Sequence, residues 1–189
     1  MRPREAAEVE SSEVNDPIGS DPDGIEAGSA EPICHRFDLA TAIGSIADRF
    51  ADTACAKGIS LTVKTADSIP EAVLGDERSL DRALAALIDN AVKFTDEGEI
   101  VASVTCEDAL GDRTVMHVEV SDTGRGIPDA TLEQLFDSGA RGVSAPLPPD
   151  AGGLLQSQRI VELLDGRFGC CSELGTGTTM WFSVPLDLP

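Results

Sequence analysis

The sequence predicts an α/β fold, on three observations. Two stretches, about 37–57 and 76–94, carry apolar residues at helical spacing. Shorter runs such as Ile59 to Val63 and Val115 to Val120 alternate apolar and polar side chains, as half-buried strands do. These elements interleave along 189 residues with 41% apolar content, enough for one good core rather than several.

Residues 1–32 carry nine acids, from Glu5 to Glu31, against Arg2 and Arg4, a net of −7, and almost no large apolar side chains. Such a segment cannot bury enough surface to offset its ordering entropy, so it reads as an acidic disordered tail or linker ahead of a domain over 33–189. Phe37, Leu39, Ile43, Ile46, Ala47 and Phe50 then recur at helical spacing up to Gly58, which reads as a helix stop. A strand from Ile59 to Val63 follows, and 68–75 reads as a connection. Asp76 is the N-cap expected for a helix to Phe94, whose Leu80, Leu84, Leu87, Ile88 and Ala91 form one apolar stripe. Ile100 to Val104 and Val115 to Val120 are strands around the acidic loop 107–112, a hairpin. A short helix is expected over 130–136 and a Gly-, Ala- and Pro-rich lid over 138–153. Leu154 to Asp165 reads as a helix ended by Gly166. Phe168 to Ser172 and Thr178 to Val184 are closing strands around the turn Leu174-Gly175-Thr176-Gly177.

The formal net charge is −20, which disfavours nucleic acid and anionic membranes as partners. A polyphosphate ligand would need Mg²⁺ and locally placed Lys or Arg. No apolar run approaches the roughly 20 residues of a membrane span, and the start of the chain lacks the apolar stretch of a signal peptide, so a cytoplasmic location is expected. Five cysteines without a C-x-x-C pattern make neither a disulfide framework nor a zinc site. Cys170 and Cys171, being adjacent, should face opposite sides of a strand.

Two motifs carry chemistry. Val115 to Val120 should end at Ser121-Asp122, followed by Thr123-Gly124-Arg125-Gly126-Ile127-Pro128. The arrangement sets a carboxylate at a strand end, and two glycines behind it let the backbone turn at φ > 0 and approach a ligand closely. A buried carboxylate accepting an exocyclic amino proton can select adenine. Taken alone, Asp-x-Gly-x-Gly is equally an ordinary turn. On the helix before it, Ala86, Asn90 and Lys93 share a facet beside the apolar stripe. Asn90 offers a hard oxygen ligand for Mg²⁺ and Lys93 a point charge for phosphate, although the same pattern alone is also that of a solvated flank.

Together, and at this separation, the motifs resemble the ATP-binding catalytic domain of bacterial sensor histidine kinases, within the GHKL superfamily. Leu87 to Thr95 resembles its N box, Asp122 to Pro128 its first glycine box, and Leu135-Phe136 with Arg141-Gly142 its F box and following basic residue. Arg159 to Leu163 with Asp165-Gly166 resembles the helix behind the lid, and Ser172 to Thr178 with Trp181-Phe182 the closing hairpin. The resemblance covers about residue 37 to the end. It implies the Bergerat fold, a two-layer α/β sandwich with helices on one face of a mixed, mainly antiparallel sheet. It also implies ATP and Mg²⁺ as cofactors. Asn90 would then hold the metal, Lys93 steady phosphate and Arg141 reach the γ-phosphate. Asp122 would contact the adenine amino group and Gly124 and Gly126 shape its loop, with Ile127, Gly153, Leu154 and Thr178 completing the nucleotide-binding residues. A phosphoacceptor histidine domain and a response regulator are the partners implied.

The departures are as informative. Where the family usually has Asn, His or Glu four residues before Asn90, this chain has Ala86, so poor intrinsic ATP hydrolysis is expected. The second glycine box aligns with Pro149-Asp150-Ala151-Gly152-Gly153 and keeps Gly153 as its main match; Pro148 and Pro149 remove backbone donors and Asp150 adds negative charge. Ile25 to Gly28 resembles the end of the kinases' second dimerisation helix, which would put the phosphorylated histidine outside this chain. His35 and His117 lack the expected helical His-(Glu/Asp) context and read as structural. Three functions fit: a kinase domain donating phosphate to a histidine elsewhere, a degenerate kinase-fold module acting through protein contacts or phosphotransfer signalling, and a switch kinase acting on Ser of an antagonist and binding a sigma factor.

Overall fold

A computed structural model describes residues 34–108, 111–128, 130–132 and 152–189. The acidic segment 1–32, Arg141, Leu135-Phe136 and most of the expected lid lie outside these residues. In chain order the elements are β1 (His35–Phe37), α1 (Leu39–Ala56), β2 (Ile59–Thr65), β3 (Val73–Gly75), α2 (Glu77–Phe94), β4 (Gly98–Asp108), β5 (Arg113–Asp122), α3 (Gly152–Leu163), β6 (Arg167–Glu173) and β7 (Gly177–Asp187).

The seven strands form one sheet in the order β1-β3-β7-β5-β4-β2, with β6 paired to β7. Only β2 and β4 run parallel, and every other pair is antiparallel. Strand parity decides what faces the helices. Met116, Val118, Val120 and Asp122 alternate with more exposed neighbours along β5, as do Thr178, Met180, Phe182, Val184 and Leu186 along β7. Onto this apolar face pack Leu39, Ile43 and Ile46 of α1, Leu80, Leu84, Leu87, Ile88 and Ala91 of α2, and Leu154 and Val161 of α3. The α/β sandwich expected from the sequence is what forms.

Local chemistry explains the helix ends. Asp38 Oδ1 accepts from Thr41 N at 2.7 Å and Asp76 Oδ1 from Ser79 N at 3.1 Å, each satisfying an orphan donor of a first turn. Gly58, at φ 76°, ends α1 as expected. Four expectations need correction. The run from Phe37 does not open the helix, because His35–Phe37 pairs with Val73–Gly75 and the helix starts after the Asp38 cap. Val73–Gly75, read as part of a connection, is therefore a strand, too short to carry a periodic signal. Gly166 does not stop α3: Asp165 takes the left-handed turn at φ 56°, with Asp165 N on Glu162 O and Gly166 N on Val161 O. Gly166 is required for another reason, since a Cβ there would lie 2.5 Å from Ser183 O. Lastly, Gly153 lies inside α3 rather than in the lid.

Candidate functional site

The site begins with register. Antiparallel pairing sets Asp122 opposite Thr178 and Thr178 opposite Ser172, so one row of polar side chains crosses β5, β7 and β6 at a single end of the sheet. Asp122 is 8% exposed and Thr178 5%. The Asp122 Oδ1 atom accepts from Gly124 N at 2.9 Å and from Thr178 N at 3.3 Å. Among the described residues both of its hydrogen bonds fall on Oδ1, which leaves Oδ2 to accept from a ligand. Burial raises the Asp122 carboxyl above its ordinary value, and the two backbone amides pull partly the other way.

Glycine is obligatory around this carboxylate for different reasons at different positions. Gly126 sits at φ 70°, and a Cβ there would run into Glu173 O. Gly124 has no positive φ; its constraint is the Phe94 carbonyl, which a Cβ would strike. The expectation of left-handed turns at both glycines thus holds only for Gly126. Ser172 ties the loop to the closing hairpin: its Oγ accepts from Ile127 N at 2.8 Å, donates to Gly177 O at 3.0 Å and meets Thr178 Oγ1 at 2.8 Å. Sequence reasoning placed Ser172 in the hairpin but gave it no role, because its partners are set by register.

The second cluster lies along α2. Asn90 is 5% exposed, which rules out a solvated flank at this position, and among the described residues its Nδ2 has no hydrogen-bond partner. A buried amide N–H is costly unless an acceptor on a ligand or water completes it, and the Oδ1 atom of the same side chain is the one that suits a hard cation such as Mg²⁺. Gly153 faces it closely: a Cβ on that glycine would lie 3.7 Å from Asn90 Oδ1. Leu154 beside it is buried in the core. Lys93 is exposed, with Nζ 5.2 Å from the Phe94 ring centre, and Arg125 Cζ lies 4.8 Å from the same ring. Ala86 is half-buried and presents only a methyl group. The two clusters meet at the end of α2, where Phe94 O accepts from Arg125 N at 3.3 Å. Thr95, just beyond, is fully buried, and among the described residues its hydroxyl has no partner.

The structure thus brings Asp122, Gly124, Gly126, Ile127 and Thr178 into one corner and Asn90 and Gly153 into another, with Lys93 on the exposed side of α2. Arg141 lies outside the described residues. No helix among the described residues is long and apolar enough to cross a membrane.

Comparison with known proteins identifies the family. The family model for histidine kinase-, DNA gyrase B- and HSP90-like ATPases matches residues 75–188. The virulence sensor protein BvgS of Bordetella bronchiseptica is 38% identical over 177 residues, covering 87% of this chain and 13% of its own length. The signal transduction histidine-protein kinase BarA of Escherichia coli K12 is 29% identical over 168 residues, 87% of this chain and 18% of BarA. The chain therefore spans under a fifth of the length of these relatives. Full-length ShkA, solved in complex with AMPPNP, superposes with a TM-score of 0.67 at 27% identity, over 86% of this chain and 33% of ShkA. The nucleotide-free catalytic domain of the histidine kinase ThkA shares the fold at 21% identity, with a TM-score of 0.60 over 81% of this chain and 95% of that domain. With its fold, its glycine loop and most of its length inside that family, the chain belongs to the histidine kinase-, DNA gyrase B- and HSP90-like ATPases, as an ATP-binding catalytic domain of the sensor histidine kinase kind.

Proposed function

We propose that this domain binds ATP with Mg²⁺ and donates the γ-phosphoryl group to a histidine of a phosphoacceptor domain, for onward transfer to a response regulator in the cytoplasm. The observation that carries the reading is the buried Asp122 carboxylate, with Oδ1 saturated by two backbone amides and Oδ2 left to accept the adenine amino group. On this reading Gly124, Gly126, Ile127 and Thr178 shape the adenine corner, Asn90 ligates Mg²⁺ beside Gly153 and Leu154, and Lys93 steadies phosphate, helped by Arg141. Mg²⁺ would supply charge neutralisation for the transferring phosphoryl, and the chain's own work is positioning and electrostatic stabilisation. The acceptor is neither histidine described here. His35 sits in edge strand β1, 2.8 Å from Glu77 Oε2, and His117 lies in β5 with its ring 5.7 Å from that of Trp181.

A second reading, a non-catalytic kinase-fold module working through protein contacts, is favoured by Ala86, which offers no donor or acceptor near the proposed metal position. Calorimetric titration with ATP and ADP, each with and without Mg²⁺, separates the two. Mg²⁺-dependent binding that favours ATP supports the kinase, whereas no binding, or weak binding indifferent to Mg²⁺, supports the module.

A further inference from the structure

The last four carbonyls of a helix have no partner within it, and at the end of α2 each finds one. Ala91 O accepts from Thr95 N at 3.1 Å and Phe94 O from Arg125 N at 3.3 Å. The remaining two, Val92 O and Lys93 O, accept from a single ammonium: Lys57 Nζ lies 2.7 Å from Val92 O, 3.4 Å from Lys93 O and 3.4 Å from Thr95 O. Lys57 is the C-cap residue of α1, 35 residues earlier in the chain. Its three N–H bonds match three carbonyls, and its charge sits at the negative end of the α2 dipole.

From this closure we infer that Lys57 is a positioning residue for the nucleotide loop. The end of α2 is held by two agents, Lys57 and the glycine loop itself, through Arg125 N on Phe94 O and through Gly124 packed on the same carbonyl. Gly124 N in turn binds Asp122 Oδ1. Removing the ammonium takes the donor from the part-buried Val92 O and Thr95 O and frees the segment against which Gly124 and Arg125 rest. The Asp122 corner loosens although no residue in it has changed. Because Lys57 belongs to α1, movement of α1 relative to α2 bears directly on this loop, a mechanical connection between the first helix and the site.

The inference rests on the nucleotide-binding reading for its functional consequence only, and the test separates the two. Lys57→Met keeps the aliphatic stem and removes the charge; Lys57→Arg keeps a cation. In the full chain without nucleotide, amide exchange at Gly124 and Arg125 is expected to speed up by about tenfold in Lys57→Met, the equivalent of one charged hydrogen bond, and to stay near wild type in Lys57→Arg. Calorimetry should show ATP and ADP both weakened by a similar factor, since the loop serves the base and not the terminal phosphate. In Lys57→Ala, millimolar methylammonium should restore slow exchange. Unchanged loop exchange in Lys57→Met, with only global stability lowered, would overturn the inference. If the wild-type chain binds no nucleotide, the ATP reading fails while the exchange data still decide the role of Lys57.

Discussion

Thr178 and Asp122 face each other across two strands, and the backbone amide of Thr178 donates to the same Asp122 oxygen, at 3.3 Å, that Gly124 N holds at 2.9 Å. The carboxylate is thereby fixed in rotation, with one oxygen used by the fold and the other directed at whatever enters the corner.

Asp122→Asn keeps an oxygen for the two backbone amides but turns the second position into a donor, which meets the amino group of adenine donor to donor. ATP affinity is expected to fall by roughly a hundredfold or more, read by calorimetry, with the fold retained. Unchanged affinity would remove Asp122 from base recognition. The same substitution tests the buried charge. Burial raises the folded-state carboxyl above its ordinary 3.8. Charge burial at Asp122 therefore costs nothing below pH 3.8, where both states are neutral, and the cost develops as pH rises through the raised folded value. Urea unfolding should find the Asn variant at least as stable as wild type at neutral pH, with that margin vanishing below pH 3.8.

Two glycines with similar backbone angles should respond differently to alanine. Gly126, at φ 70°, would drive its Cβ into Glu173 O, whereas Gly175, at φ 83°, opens on empty space. Gly126→Ala is expected to cost about 2–4 kcal/mol and Gly175→Ala about 1 kcal/mol, the price of the left-handed conformation alone. Thermal melts should order the two, at roughly 2–4 °C per kcal/mol for a domain of this size. Equal losses would mean that the close approach to Glu173 O is unimportant.

Ala86→Asn restores a polar group one helical turn before Asn90. Mg²⁺-dependent ATP turnover is expected to rise by at least about tenfold, measured by phosphate release. An unchanged rate would move the limitation from α2 to the 138–151 segment.

Thiol reactivity should divide the five cysteines. Cys34, Cys55 and Cys171 are exposed, while Cys106 is buried and Cys170 half-buried. Burial pushes the Cys170 thiol up to about 12, assisted by the neighbouring Cys171 and by Asp122, and burial also raises Cys106. A chromogenic disulfide reagent at pH 8 should therefore titrate three thiols quickly and the other two only on unfolding. Fast reaction of Cys170 as well, identified by mass spectrometry, would show that β6 opens at its edge.

Much of this molecule was legible in the residues. The stripe from Leu80 to Ala91, the cap Asp76, the stop at Gly58 and the strand ending at Asp122 all follow from local rules of spacing, capping and φ preference, which act within a few residues. So did the pairing of an Asn-x-x-Lys helix with an Asp-x-Gly-x-Gly loop, because both motifs are short and contiguous. The structure alone decided what depends on residues far apart in sequence. The strands β1 and β3 exist because β1 pairs with β3 and β3 in turn with β7, and three residues carry no period of their own. The burial of Asn90, the Asp122-Thr178-Ser172 row and the seat of Lys57 on the end of α2 join positions 6 to 63 residues apart along the chain, through register and helix packing that no local pattern encodes. Sequence determined which groups were available for chemistry; the tertiary structure decided which of them meet, because hydrogen bonds and close packing act over a few ångströms of space whatever the separation along the chain.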